Sequence, residues 1–197
     1  SDLMTVYGDM DIEGDFNPQC PVYVTGNVYI GGNLNTQWGK DFKVGGNLYV
    51  EGDSYLQGNT NIYGEYFYTG GNLTRGATYL LGCDCETYVG GNILLSGGTT
   101  FNGPVYCMGN FEKQGSVALS VRGNVYAYET LKFQSGGTVV NGDIFVYGKN
   151  ASSSDTVTDI SGPFTLNGDL YNRKGNLSLS GQGTYMLKGI IYSGGSL

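Results

Sequence analysis

Apolar residues along the chain come in short bursts, apolar–any–apolar, and most bursts follow a glycine and then an asparagine or aspartate. Gly26-Asn27-Val28, Gly32-Asn33-Leu34, Gly46-Asn47-Leu48, Gly71-Asn72-Leu73, Gly91-Asn92-Ile93, Gly109-Asn110-Phe111 and Gly168-Asp169-Leu170 share this form. The glycines recur every six residues in clean runs: Gly46, Gly52, Gly58, Gly64 and Gly70, then Gly97, Gly103, Gly109 and Gly115. Strict alternation marks a short strand with one buried face. A three-residue strand is too short for a stable hairpin, but it can pair with its equivalent one coil above. The Gly-Asn or Gly-Asp step supplies backbone that tolerates φ > 0, as a sharp bend between strands requires. Three strands and three bends close a coil of about 18 residues, stacked at ~4.8 Å. The expected fold is therefore all-β: a parallel β-helix (β-solenoid), three short strands per coil, about ten coils and ~45 Å long. It fills residues 1-197 as a single domain. Helix is excluded, because Gly or Asn interrupts every candidate window.

In this frame outward residues fall into three ladders, one per face. Face one contains Leu48-Tyr49-Val50 and reads Tyr29, Tyr49, Phe67, Tyr88, Tyr106, Tyr126, Phe145 and Tyr171, an aromatic in each of eight coils. Face two reads Asn35, Tyr55, Thr74, Leu94, Glu112 and Lys132, and face three reads Tyr23, Lys43, Asn61, Tyr79, Thr100 and Ala118. Only face one is uniform. Two stretches break the register: 35-41, which carries Trp38, and the Ser/Asp-rich 148-161. Both read as loops inserted after face-one strands, on one side of the rod, where solenoids tend to place binding surfaces.

Composition narrows the function. Glycine at 35 of 197 residues without a G-X-Y period, and with only 4 Pro, excludes collagen. An aromatic content of 13% with only 14% charged residues is the opposite of a disordered signature. The absence of His removes the commonest general base and metal ligand. Ten Lys+Arg against 17 Asp+Glu make a nucleic-acid partner unexpected. No apolar run approaches the ~18 residues of a membrane span, and the opening SDLMTVYGDM lacks the basic and apolar regions of a signal peptide.

The hexads Val50-Glu51-Gly52-Asp53-Ser54-Tyr55 and Val24-Thr25-Gly26-Asn27-Val28-Tyr29 resemble the repeat of bactofilins and related polymer-forming β-helix proteins, over roughly residues 6 to 192. That resemblance implies a right-handed parallel β-helix and end-to-end assembly into filaments without nucleotide. The outward Tyr, Asn, Thr and Ser here replace the family's Lys and Glu, and suit a secreted or cell-surface relative.

The aromatic ladder is the leading candidate site: stacked rings stabilise a solenoid, and part-exposed rings also form an interface or bind glycans. Asp9, Asp11, Glu13 and Asp15 mimic the start of a calcium loop, but position 20 is Cys20 where the loop needs Glu, so they read as turn residues. Cys83, Cys85 and Cys107 read as buried unpaired thiols, since Cys85 and Cys107 are offset by about four residues along the strands, too far to bridge. Neither a metal site nor a cofactor is expected. The acids are scattered and offer no convergent carboxylate pair, so no enzyme is expected. The sequence thus points to a non-enzymatic structural protein, a rod-like module of a bacterial cell-surface filament, appendage or scaffold, self-associating or joining other surface proteins. A carbohydrate-binding adhesin or carbohydrate-active β-helix using the ladder is the alternative, with glycans as partners; a cytoplasmic scaffold is the alternative location.

Overall fold

A computed structural model describes residues 2–76 and 81–197. The chain winds as a β-solenoid of three parallel sheets, with no helix among the described residues. Among the described residues, face three holds ten strands, from Met4–Val6 to Tyr185–Leu187, and face one holds ten, from Met10–Ile12 to Ile191–Ser193. Face two holds eight among the described residues, from Leu34–Thr36 to Asn176–Leu179. Each strand inside a sheet pairs with those one coil below and above, and most are three residues long with the two outer side chains buried and the middle one exposed or half-buried. The core is a continuous stack of inward Val, Ile, Leu and Phe.

Gly8 and Gly115 take the positive φ that the sequence suggested, but other corner glycines are needed for a different reason. Among the described hexad glycines, Gly26, Gly46, Gly71 and Gly91 do not have positive φ. What excludes a side chain is the coil below. A Cβ on Gly46 would lie 2.5 Å from the Asn27 Oδ1 and 2.8 Å from the Gly26 carbonyl carbon.

The following Asn or Asp also has a defined task. Its Oδ1 accepts the backbone N–H of the equivalent residue one coil on, linking Asp9 to Asn27 (2.6 Å) and Asn27 to Asn47 (2.8 Å). At the corner between faces one and two the chain of such bonds runs Asp15, Asn33, Asp53, Asn72, Asn92 and Asn110. These bonds satisfy bend N–H groups that no strand partner reaches. Asp9 and Asp15 are therefore turn acceptors, as expected.

The corner between faces two and three follows other rules. Segments 37–41 and 114–118 make it irregular in length, and inward polar side chains close it. The Thr36 hydroxyl accepts from Gln57 N (3.0 Å). Arg75, 0% exposed, donates through Nη1 to the Leu56 carbonyl at 2.5 Å, and burial lowers its guanidinium to about 10. Lys113 donates to the carbonyls of Gln134 (2.8 Å), Ser135 and Gly136, and burial lowers its ammonium to about 8. Buried cations thus stand in for the missing Asn ladder.

Both inserted stretches are shorter than expected. Leu34–Thr36 and Thr156–Ser161 are strands of face two, leaving loops over 37–41 and 147–155. The first leaves face two and the second leaves face one, so they occupy different corners rather than one side.

Candidate functional site

On face one the outward positions align in register: Asp11, Tyr29, Tyr49, Tyr68, Tyr88, Tyr106, Tyr126, Phe145, Tyr171 and Tyr192. Seven of the eight expected ladder residues stand there. Phe67 does not: it is 0% exposed and packs in the core, while Tyr68, 43% exposed, holds the ladder position. The strand is one residue longer than most, Tyr66–Thr69, and a one-residue slip exchanges the two faces. On face three Ser120, two residues beyond Ala118, holds the outward position, and Gly82 stands outward between Asn61 and Thr100. Tyr79 lies outside the described residues.

The rings stack face to face up the rod. Tyr29–Tyr49 lie 5.1 Å apart, Tyr88–Tyr106 4.5 Å, Tyr106–Tyr126 4.7 Å, Tyr126–Phe145 5.0 Å and Phe145–Tyr171 5.0 Å, all within 7° of parallel. Such spacing follows from the strand separation, which brings equivalent side chains to offset-stacking distance. Stacking is interrupted at Tyr68, whose neighbour Tyr66 instead tilts against Tyr88 at 6.4 Å. Most ring faces are consequently covered by one another, and the stripe offers solvent mainly ring edges and hydroxyls.

Two of those hydroxyls are tied to acids of their own coil. Tyr88 donates to Glu86 at 2.5 Å and Tyr171 to Asp169 at 3.0 Å, and each carboxylate holds its phenol above the ordinary tyrosine range. Tyr106 is also raised, chiefly by burial.

A second column stands beside the ladder at the corner of faces one and two. Successive backbone bonds align Met108, Tyr128, Tyr147 and Arg173 there. Tyr128 and Tyr147 stack at 4.8 Å, and the Arg173 guanidinium lies over the Tyr147 ring at 5.3 Å. The sequence frame missed this column because its members follow the strand rather than sit within it.

Cys83 and Cys85 are bonded to each other as a disulfide in the core, which corrects the expectation of free thiols there. Cys107 remains a buried thiol, raised to about 11 by burial. Trp38 lies 65% exposed in the 37–41 loop, away from the face-one ladder. Among the described residues no cluster of three metal-ligating side chains occurs, and no helix is long and apolar enough to cross a membrane. No family model, curated protein or solved structure matches the chain.

Proposed function

We propose that this chain is a non-enzymatic structural module, a bactofilin-like rod within a bacterial cell-surface filament, appendage or scaffold, whose copies add end to end. The observation that carries the reading is the pairing of open edges with opposite charge. Among the described residues, Met4–Val6 and Met10–Ile12 at one end each pair on one side only, and at the other Tyr185–Leu187 and Ile191–Ser193 do the same. Their inward side chains are only half-buried, so a second copy docked in register extends both core and ladders. The first 20 residues hold five acids and no Lys or Arg, whereas beyond Asp169 stand Arg173, Lys174 and Lys188 and no acid. That polarity favours head-to-tail contact, a heterologous contact that builds filaments when it does not close.

Sedimentation velocity across concentration, at low and high salt, tests this. Larger species are expected to grow with concentration and to shrink with salt. Charge reversal at the exposed Asp11 and Glu13 (D11K with E13K) weakens the association. A monomer at every concentration in low salt removes the proposal.

A further inference from the structure

The stack of ladder rings ends at Tyr171. Tyr192 occupies the next register position, yet no ring contact joins the two, and the space is a concavity of about 500 Å³ lined by Phe145, Tyr147, Tyr171, Arg173 and Tyr192. Four rings and one guanidinium make up this lining, with no carboxylate, in a chain of net charge −7. Arg173 is exposed, and no salt bridge engages it among the described residues. Its guanidinium lies over the Tyr147 ring at 5.3 Å, a contact that engages the ring rather than a hydrogen-bond acceptor. The Asp169 carboxylate, the nearest acid in sequence, sits at the opposite end of the strand Leu170–Asn172 from Arg173. There it accepts from the Tyr171 hydroxyl and the Ile190 N–H. The one nearby carboxylate is thus engaged at the far end of the strand from the Arg173 guanidinium.

A larger concavity, of about 610 Å³, lies on face three between Leu3, Tyr23, Lys43 and Tyr63. Its cation is already paired, Lys43 with Asp41 at 3.9 Å, so it has no free charge to recognise an anion. The concavity at Arg173 differs on that point.

We infer that the concavity bounded by Tyr147, Tyr171, Arg173 and Tyr192 binds an acidic sugar, a hexuronate unit of an anionic polysaccharide, by carboxylate pairing with Arg173 and stacking of the sugar's C–H face on the exposed rings. A guanidinium offers a carboxylate two parallel N–H donors, and the ring faces match the apolar side of a pyranose. An uncharged sugar uses the rings alone and loses the charge-assisted bonds. The lining residues are outward positions of face one and of its adjoining corner, so binding is measured on the single rod, apart from end-to-end assembly.

The test is calorimetric titration, at a concentration where sedimentation shows a single species, with tetragalacturonate and with the same tetrasaccharide whose carboxyls are reduced to hydroxymethyl groups. Uronate binding is expected about tenfold tighter than that of the reduced sugar, the discrimination of one charge-assisted bidentate pair, and is weakened by salt. Arg173→Gln is expected to erase the discrimination, and Tyr147→Ala to weaken both sugars. Tyr55→Ala, outward on face two, leaves both unchanged, and circular dichroism melts confirm that each variant folds. Equal affinity for the two sugars, binding of neither, or undiminished discrimination in Arg173→Gln overturns the inference, whatever the outcome for assembly.

Discussion

Single residues carry this fold through what lies one coil below them. Gly91 illustrates it: a Cβ there would lie 2.6 Å from the Asn72 Oδ1 and 3.0 Å from the Gly71 carbonyl carbon, with rigid backbone on the receiving side. Gly91→Ala is expected to cost about 1–3 kcal/mol in urea unfolding, the range for overpacking at a site that cannot give. Gly14→Ala meets nothing within 4 Å. It is expected to stay within about 0.5 kcal/mol of the parent or to gain slightly. Equal losses at the two sites would return the explanation to backbone conformation. Lys113 makes a second residue-level case. Burial lowers its ammonium from 10.5 to about 8, so between those pH values the unfolded chain keeps a proton that the folded chain has released. Stability therefore rises with pH through that window. Above pH 10 the raised phenols of Tyr88, Tyr106 and Tyr171 act in the opposite direction, because the unfolded chain then loses protons that the folded chain keeps. The clean interval is pH 8 to 9, below the point where the unfolded chain's Cys107 thiol ionises while the buried one, raised to about 11, keeps its proton; there denaturant midpoints are expected to climb in the parent and to stay flat in Lys113→Met.

At the scale of the strand, alternation is a strict rule with a fragile origin. The hexad pattern was enough to give three strands per coil, their parallel pairing and seven of the eight ladder residues in face one. It failed at Tyr66–Thr69, where counting six from each glycine misplaces the strand by one. Chemistry in the same segment pointed the right way: in Tyr66-Phe67-Tyr68 the ring without a hydroxyl belongs inside. Phe67→Ala is accordingly expected to cost about 3–5 kcal/mol, as for a buried ring. Tyr68→Ala, exposed and without a stacked neighbour in the ladder, is expected to cost less than about 1 kcal/mol. Reversed magnitudes would restore the original frame. The buried cations were legible too, since Leu73-Thr74-Arg75 and Phe111-Glu112-Lys113 place Arg75 and Lys113 at inward positions. They were overlooked because an inward cation contradicts hydrophobic patterning, and only the carbonyls they reach across the coil explain it. The disulfide at Cys83 and Cys85 and the second column ending in Arg173 depend on corner geometry, which spacing along a strand does not encode.

For the whole molecule, each coil touches only its neighbours, so stability is close to a sum of coil and interface terms. Coils with a neighbour on one side lack one such interface. Inward residues of Met4–Val6, Met10–Ile12, Tyr185–Leu187 and Ile191–Ser193 are half-buried, whereas those of Leu48–Val50 and Val125–Ala127 are fully buried. Local opening should therefore start at the two ends and proceed inward. Amide hydrogen exchange in dilute solution is expected to be fastest in the four terminal strands and slowest around Val105–Cys107 and Val125–Ala127. The proposed assembly adds a second, separable expectation. Docking of another copy supplies the missing interface to end strands alone, so raising protein concentration in low salt should slow exchange there and leave the central strands unchanged. High salt should reverse that gain, because the acidic first coil and the basic last coils supply part of the contact. Uniform exchange along the rod in dilute solution would mean that the coils open as one unit. Concentration-independent exchange at the ends would leave the open edges without the partner proposed for them.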